Sequence, residues 1–188
     1  MTATDTELGF AQLFRQVSPE EICDNIFALA AKDFYVITAG KEARCNSMVG
    51  SGGGWGTLFR KPAVWCVLQS TRYTLELMER EGTYTISYFP DAYRRQALFL
   101  GSKSGRDSGK MGEVELTSVA TPSGDIAFKE ARLIFECELT QLTTPLLDDF
   151  RAEEARGYIE ETYKNPDEIR KYAFGEIVRA WVKRSETP

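Results

Sequence analysis

The segment from Arg44 to Thr74 is RCNSMVGSGGGWGTLFRKPAVWCVLQSTRYT, and it combines a glycine cluster with an unusual charge pattern. From Ala43 to Leu75 there is no Asp or Glu, although 28 acids among 188 residues would place about five in a window of that length. The same window keeps the cations Arg44, Arg60, Lys61 and Arg72. Local positive charge in an otherwise acidic chain indicates an anionic ligand.

Local patterns within this segment predict a strand, a turn and a second strand. A segment of strand character ends in Cys45–Met48, and a Gly-rich turn follows at Ser51–Gly56. Pro62 then precedes an apolar run, Ala63–Leu68, which is typical of a buried strand.

A helix is predicted directly after this second strand. Ser70 and Thr71 are good N-cap residues ahead of a helix from Arg72 to Glu81, which Gly82 ends. The first N–H groups of a helix have no intrahelical partners, so hydroxyls and an Arg at this point predict a phosphate site. The alternative is an ordinary capped helix without a ligand.

A second cationic loop follows later in the chain. No acid occurs between Ala92 and Arg106, and the segment ends in a Gly/Ser-rich loop. Its cations are Arg94, Arg95, Lys103 and Arg106. Two such loops could face one anion.

Composition excludes several classes of protein. The net charge of −5 argues against a general nucleic-acid or membrane-surface binder, and 43% hydrophobic residues are ordinary for a soluble protein. No apolar run reaches the length of a membrane span, and the first residues lack the pattern of a signal peptide. We predict a cytoplasmic protein without nucleic-acid or membrane partners.

The chain contains no histidine, which limits its chemistry. Ser/His and Cys/His nucleophiles, His-ligated metals and histidine acid–base catalysis are all excluded. The four cysteines have no C-x-x-C spacing, so reduced core thiols are expected. An enzyme of this composition would rely on a cofactor, with no catalytic side chain and no metal predicted.

The remaining pattern predicts a mainly β fold with peripheral helices. Met1–Val17 is expected to be a loosely held arm, Ser18–Ala31 an amphipathic helix and Thr143–Lys164 a helical excursion, with a further capped helix start at residues 165–168. Strands in hairpin-like succession favour a six-stranded antiparallel barrel over a doubly wound sheet. The predicted strands beyond the opening segment are 34–39, 83–89, 133–139 and 177–182. In the strand 133–139, the residues on one face are more polar than those on the other.

The glycine cluster does not match the common phosphate loops. Ser51–Gly56 has no G-K-[ST] ending, and the residues after it lack a helical pattern. Neither the Walker loop nor the Rossmann fingerprint is met.

Several short motifs occur in the same order along the chain as in the flavin reductase-like, FMN-binding split-barrel family, and the chain resembles in particular the flavoredoxin-like branch of that family. The likeness runs from about Asp33 to Val182. Its motifs are Asn46-Ser47-Met48 before the turn, Lys61-Pro62, Arg72-Tyr73-Thr74, the loop 101–107 with Lys110, and Phe174-Gly175-Glu176-Ile177.

The resemblance implies a single split-barrel domain, residues 1–188, that forms a homodimer with FMN near the interface. The domain would include the N-terminal arm and helix 1–31 and the helical excursion 143–174. The implied roles are ring contacts from Asn46, Ser47, Met48, Ser51 and Gly52, phosphate contacts from Thr71, Arg72 and Thr74, and closure of the site by Ser104, Gly105, Arg106 and Lys110.

Two positions depart from the pattern of the family. Many relatives carry a Trp directly after the turn serine, where this chain has Gly52, and Trp55 follows three residues later. Relatives often have a His at the position that matches Arg170. These departures concern ring stacking and the electron partner more than FMN binding itself.

The resemblance also implies an activity. Hydride from NADH or NADPH would pass to bound FMN, and electrons would continue to a flavin, a protein or a small acceptor. Two alternatives stay open: an FMN electron-transfer protein without its own NAD(P)H site, and a non-catalytic relative that has lost FMN.

Overall fold

Antiparallel strands form the framework of the molecule. The computed structural model describes residues 9–31, 34–106, 109–163, 165 and 168–184. Its strands are β1 (Phe14–Val17), β2 (Tyr35–Ala39), β3 (Asn46–Gly50), β4 (Gly53–Leu58), β5 (Lys61–Leu68), β6 (Thr83–Tyr88), β7 (Ser118–Ala120), β8 (Ile126–Phe128), β9 (Leu133–Thr143) and β10 (Lys171–Lys183).

Helices lie at the periphery of these strands. They are α1 (Ile26–Ala31), α2 (Tyr73–Glu81), α3 (Arg94–Ser102), α4 (Lys110–Glu113) and α5 (Glu153–Thr162). Residues 9–13 are also helical, and single 3-10 turns occur at Pro19–Glu21, Glu42–Arg44, Asp91–Tyr93 and Leu147–Asp149.

One eight-stranded antiparallel sheet contains most of the strands. Its order is β3-β2-β6-β9-β10-β5-β4, with β1 paired to β10, while β7 and β8 form a separate hairpin. This confirms the predicted mainly β, antiparallel architecture. The sheet has two strands more than the predicted six because part of the N-terminal arm and part of the glycine-rich segment also form strands.

The two edge strands of the sheet are neighbours in the chain. The edge strands β3 and β4 are joined by Ser51 and Gly52 alone. Across the interior, the Trp55 ring on β4 lies 5.3 Å from the Tyr88 ring and 5.1 Å from the Phe135 ring, both edge-on. Trp55 is therefore part of the barrel core.

Apolar residues are buried on both faces of the central strands. On β2, Ile37 points into the barrel core, whereas Val36 belongs to a second core formed with α3, the β7–β8 hairpin and the N-terminal residues. On β9, Phe135 belongs to the barrel core and Ile134 to the second core. Burial on both faces explains why β2 and the first three residues of β9 lack apolar–polar alternation.

The polar-leaning face predicted for β9 is wrong at Glu136, which is fully buried. Its carboxylate accepts hydrogen bonds from Trp181 Nε1 at 2.6 Å and Thr121 Oγ1 at 2.8 Å. These bonds satisfy the buried carboxylate and connect β9 to β10 and to the turn of the β7–β8 hairpin.

The helix predicted over Ser18–Ala31 is interrupted. After the 3-10 turn the chain is irregular until Ile26, because the Asn25 side chain starts a separate helix by accepting from the N–H groups of Phe27 at 3.0 Å and Ala28 at 3.2 Å. Phe27, within the predicted amphipathic helix, is 83% exposed.

The prediction of a loosely held N-terminal arm is also wrong for the described residues of that arm. Residues 14–17 pair with β10, and Phe10 and Phe14 are buried. Residues 1–8 lie outside the described residues.

The predicted turn at Ser51–Gly56 is shorter than expected, because β4 already begins at Gly53. At Gly53 φ is +141°, and an added Cβ would lie 2.0 Å from the Trp65 carbonyl oxygen. At Gly54 an added Cβ would lie 2.8 Å from the Trp65 ring. These glycines therefore permit close pairing beneath Trp65 rather than forming a loop.

The excursion over Thr143–Lys164 is helical only at α5, since β9 extends to Thr143. The helix start predicted at residues 165–168 falls largely outside the described residues. All four cysteines are free, with Cys66 and Cys137 buried and Cys23 exposed, contrary to its predicted helical burial.

No described helix is long and apolar enough to cross a membrane. No group of three or more His, Cys, Asp or Glu side chains in the described part of the chain could hold a metal ion.

Candidate anion-binding cleft

The start of α2 forms one wall of a cleft. The N-cap is Arg72, whose carbonyl accepts from the N–H of Leu75 at 3.0 Å, so the predicted capping by Ser70 or Thr71 is wrong. Its own N–H donates to the Gln69 carbonyl at 3.1 Å. This tight turn after β5 leaves Thr71 and Arg72 exposed at the helix start, where the helix dipole favours negative charge.

The cleft has a volume of about 280 Å³ and lies between the start of α2, the end of α3 with its following loop, and β3. Its lining combines hydroxyls, amides and cations. The lining residues are Asn46, Met48, Gln69, Thr71, Arg72, Tyr73, Thr74, Leu100, Gly101, Ser102, Lys103, Ser104, Gly105 and Lys110.

The charge of this lining is uniformly positive among the described residues. Arg72, Lys103 and Lys110 line the cleft, and no Asp or Glu does. Lys103 is partly neutralised, because its Nζ lies 2.5 Å from Glu113 Oε2. Arg72 and Lys110 therefore dominate the electrostatics of the cleft.

Lys110 is held at the C-terminal end of α3. Its Nζ donates to the carbonyls of Leu100 at 2.9 Å and Lys103 at 3.0 Å, and the residue is 2% exposed. An ammonium has three donors, so one N–H has no partner among the described residues. Burial, followed by repulsion from Arg72, lowers the pKa of Lys110 to about 8.

Asn46 connects the two sides of the cleft. Its Nδ2 donates to Thr74 Oγ1 at 2.7 Å, a buried bond between β3 and α2. On its other side lies Gly105, where an added Cβ would be 1.9 Å from Asn46 Oδ1. The loop after α3 approaches β3 this closely because residue 105 has no side chain.

Arg106 does not line the cleft, although the sequence predicts it as a site residue. Its guanidinium donates to the Thr71 carbonyl at 2.9 Å and to Glu76 Oε2 at 2.6 Å, and it lies over the Tyr73 ring at 5.3 Å. Arg106 thus ties the second loop to the first turn of α2.

Three other predicted residues also lie outside the cleft lining. Ser47 Oγ is hydrogen bonded at 2.7 Å to Thr38 Oγ1 in the interior. Ser51 and Gly52 form the link between β3 and β4, and the Gly52 carbonyl accepts from the Tyr35 hydroxyl.

Eight of the twelve predicted residues therefore line one cleft: Asn46, Met48, Thr71, Arg72, Thr74, Ser104, Gly105 and Lys110. Six further residues line it without having been predicted as site residues: Gln69, Tyr73, Leu100, Gly101, Ser102 and Lys103. Gln69, the first polar residue after the apolar β5 run, offered a weak signal for a strand end, whereas Leu100 offered none.

A second cleft of about 370 Å³ adjoins the first and shares Gln69 and Thr71 with it. Its remaining lining comes from Ser70, from the last residue of α5 and from the segment between α5 and β10. The residues that line it are Gln69, Ser70, Thr71, Thr162, Tyr163, Glu168 and Arg170.

Comparisons with known proteins identify similar folds but no close relative. No protein-family model matches the chain, and no curated protein matches it by sequence. A flavoredoxin from Methanosarcina acetivorans superposes with a TM-score of 0.62 at 16% identity, over 92% of this chain and 79% of that one.

Two further solved structures give the same result. An FMN-binding protein from Thermus thermophilus, solved with bound p-hydroxybenzaldehyde, matches with a TM-score of 0.63 at 17% identity over 91% of this chain and 83% of that one. An FMN-binding domain of a flavin reductase-like enzyme from Shewanella baltica matches with a TM-score of 0.63 at 16% identity, over 90% and 76% of the two chains. The chain therefore has the split-barrel fold of the flavin reductase-like, FMN-binding proteins.

Proposed function

We propose that this protein is an FMN-binding oxidoreductase that accepts hydride from NADH or NADPH and passes electrons to a flavin, a protein or a small acceptor. The observation that carries the proposal is the positively charged cleft at the start of α2, lined by Thr71, Arg72 and Lys110. Similar solved structures described as FMN-binding or as flavoredoxin support the choice of ligand.

The residues of the cleft suit the phosphate end of FMN. A phosphate dianion needs cations and hydrogen-bond donors, and Arg72, Lys110 and the Thr71 hydroxyl supply both beside a helix start. The described lining contains no carboxylate that would repel the ligand. The phosphate would therefore bind at this point.

The remaining lining residues would orient the rest of the cofactor. Met48 provides an apolar contact, and Asn46 is fixed in position by its bond to Thr74 at 2.7 Å. FMN, when bound, supplies the hydride- and electron-accepting chemistry. The protein's own contribution is orientation and positive charge, so no side chain has to act as a general acid or base.

We further propose that the protein works as a cytoplasmic homodimer with FMN near the interface. The outer face of β5 and β10 supports dimerisation: Trp65 and Phe174 are cross-strand partners there, with Trp65 39% and Val178 43% exposed. Four free cysteines suit a reducing compartment.

The alternative is an FMN electron-transfer protein that lacks its own NAD(P)H site, which the similarity to a flavoredoxin favours. Anaerobic addition of NADH or NADPH to the FMN-loaded protein separates the two. Loss of the visible flavin absorption with either nucleotide is the expected result. Absorption that disappears only with dithionite would contradict the reductase and support the electron carrier.

A further inference from the structure

Arg170 stands out in the second cleft because one of its donors has no acceptor. Its Nε is buried, and it is among the few buried side-chain atoms of the described residues without a hydrogen-bond partner. The residue lines the cleft of about 370 Å³. A buried donor without an acceptor is costly, so the Arg170 guanidinium lies at the wall of this cleft with unused hydrogen-bonding capacity.

The chemistry of the cleft favours a ligand with an anionic group. Arg170 is the cation among its described lining residues, and hydroxyl groups of Thr71, Thr162 and Tyr163 add hydrogen-bond donors. Glu168 is the one acid among the lining residues that the structure describes, and it is exposed. A guanidinium binds a carboxylate or phosphate through parallel N–H bonds.

The position of the cleft indicates what such a ligand does. Gln69 and Thr71 line both clefts, so a molecule in the second cleft would lie beside one held at Arg72 and Lys110. The two sites have separate cations: Arg72 and Lys110 line the first and Arg170 the second.

We propose that Arg170 is a specificity residue that binds a carboxylate or phosphate group on the molecule exchanging electrons with FMN. This inference rests on the proposed FMN function. It adds that the second substrate is an anion, whose charged group is recognised by Arg170 rather than by the residues that hold FMN.

The test uses three probes with one ring and different charges: benzoate, phenylphosphonate and benzamide. Each is titrated into the FMN-loaded protein by calorimetry, with the flavin absorption spectrum recorded in parallel. We expect at least one anion to bind about tenfold or more tightly than neutral benzamide. Whether benzoate or phenylphosphonate binds better distinguishes a carboxylate substrate from a phosphate substrate.

Three variants show whether Arg170 causes this preference. Arg170→Met should abolish it, and Arg170→Lys should restore part of it. Lys171→Met removes the neighbouring cation, which lies 3.5 Å from Glu79, and should keep the preference. FMN affinity, measured by flavin fluorescence, should stay within about twofold in all three variants.

Some results would overturn the inference alone. Equal binding of the three probes by the wild-type protein, or a preference that survives in Arg170→Met, would show that Arg170 does not select an anion. A large loss of FMN affinity in Arg170→Met would assign Arg170 to the cofactor site instead. Failure of the wild-type protein to bind FMN would instead overturn the proposed function.

Discussion

Arg72 lies at the N-cap of α2, where it is exposed and lines a cleft whose described lining residues include no acid. Its potential i+4 partner, Glu76, is already paired with Arg106 at 2.6 Å. The pairing of Glu76 with Arg106 supports the proposed role of Arg72 in anion binding over an ion pair along the helix.

Replacing Arg72 with Ala should weaken FMN binding roughly 10- to 100-fold, because one charge-assisted contact to the phosphate is lost. Riboflavin, which lacks the phosphate, should bind the variant and the wild type equally. Arg80→Ala is the matched control, since Arg80 lies on the same helix and pairs with Glu81 at 2.7 Å. Fluorescence titration of both flavins measures these effects, and an unchanged FMN affinity in Arg72→Ala would contradict them.

Lys110 should make FMN binding depend on pH. Its pKa is lowered to about 8, so its charge is complete below that pH and is lost as pH rises through it. FMN affinity should begin to fall above about pH 8 and decline about tenfold by about pH 10, whereas riboflavin affinity should not follow this curve.

The same lowered pKa has the opposite effect on the free fold. Burial of the charged Lys110 costs stability below about pH 8, and this cost decreases as pH rises towards the ordinary value of 10.5.

Lys110→Met should remove the pH dependence of FMN affinity above about pH 8. A wild-type affinity that stays flat over this range would show that Lys110 does not contact the phosphate.

At the scale of elements, the cleft depends on how closely the loop after α3 approaches β3. Gly105→Ala would place a Cβ 1.9 Å from Asn46 Oδ1, so Asn46 would have to move and lose its bond to Thr74. We expect FMN affinity to fall about tenfold and stability by about 1 kcal/mol.

Gly109→Ala is the control for Gly105→Ala. It lies in the same part of the chain, and an added Cβ there meets nothing within 4 Å. Titration with FMN and thermal unfolding should show little change for Gly109→Ala. Equal effects of the two substitutions would mean that the contact between Gly105 and Asn46 does not shape the site.

Elements with a strong local pattern were predictable from the sequence. The apolar run before Gly40 gives β2, and Gly82 ends α2 with φ of +70°. The acid-free windows also located residues that line one cleft, because a shared charge pattern is visible without knowledge of the fold.

Features that depend on distant partners were not predictable in the same way. The glycines at 53 and 54 form a strand because Trp65 lies over them. Arg106 lies outside the cleft because its guanidinium bonds to Glu76 on α2 and to the Thr71 carbonyl just before α2. Asn25 divides the predicted first helix because its side chain accepts from the Phe27 N–H and starts a separate helix.

For the whole molecule, we predict a homodimer that uses the outer face of β5 and β10. Sedimentation velocity should give twice the chain mass of 21.2 kDa. Val178→Glu should weaken the dimer, since Val178 is 43% exposed on that face.

Leu146→Glu serves as the control for this surface, because Leu146 is 68% exposed outside these strands and should not affect association. A monomeric wild-type protein would contradict the predicted dimer, and equal effects of the two substitutions would contradict the predicted surface.

The central claim is that the cleft at the start of α2 binds the phosphate of FMN. Parallel titrations of the flavin-free protein with FMN and riboflavin test it most directly. We predict one FMN per chain, bound about 100-fold or more tightly than riboflavin because only FMN engages Arg72 and Lys110. Equal affinity for the two flavins, or no binding of either, would contradict the claim.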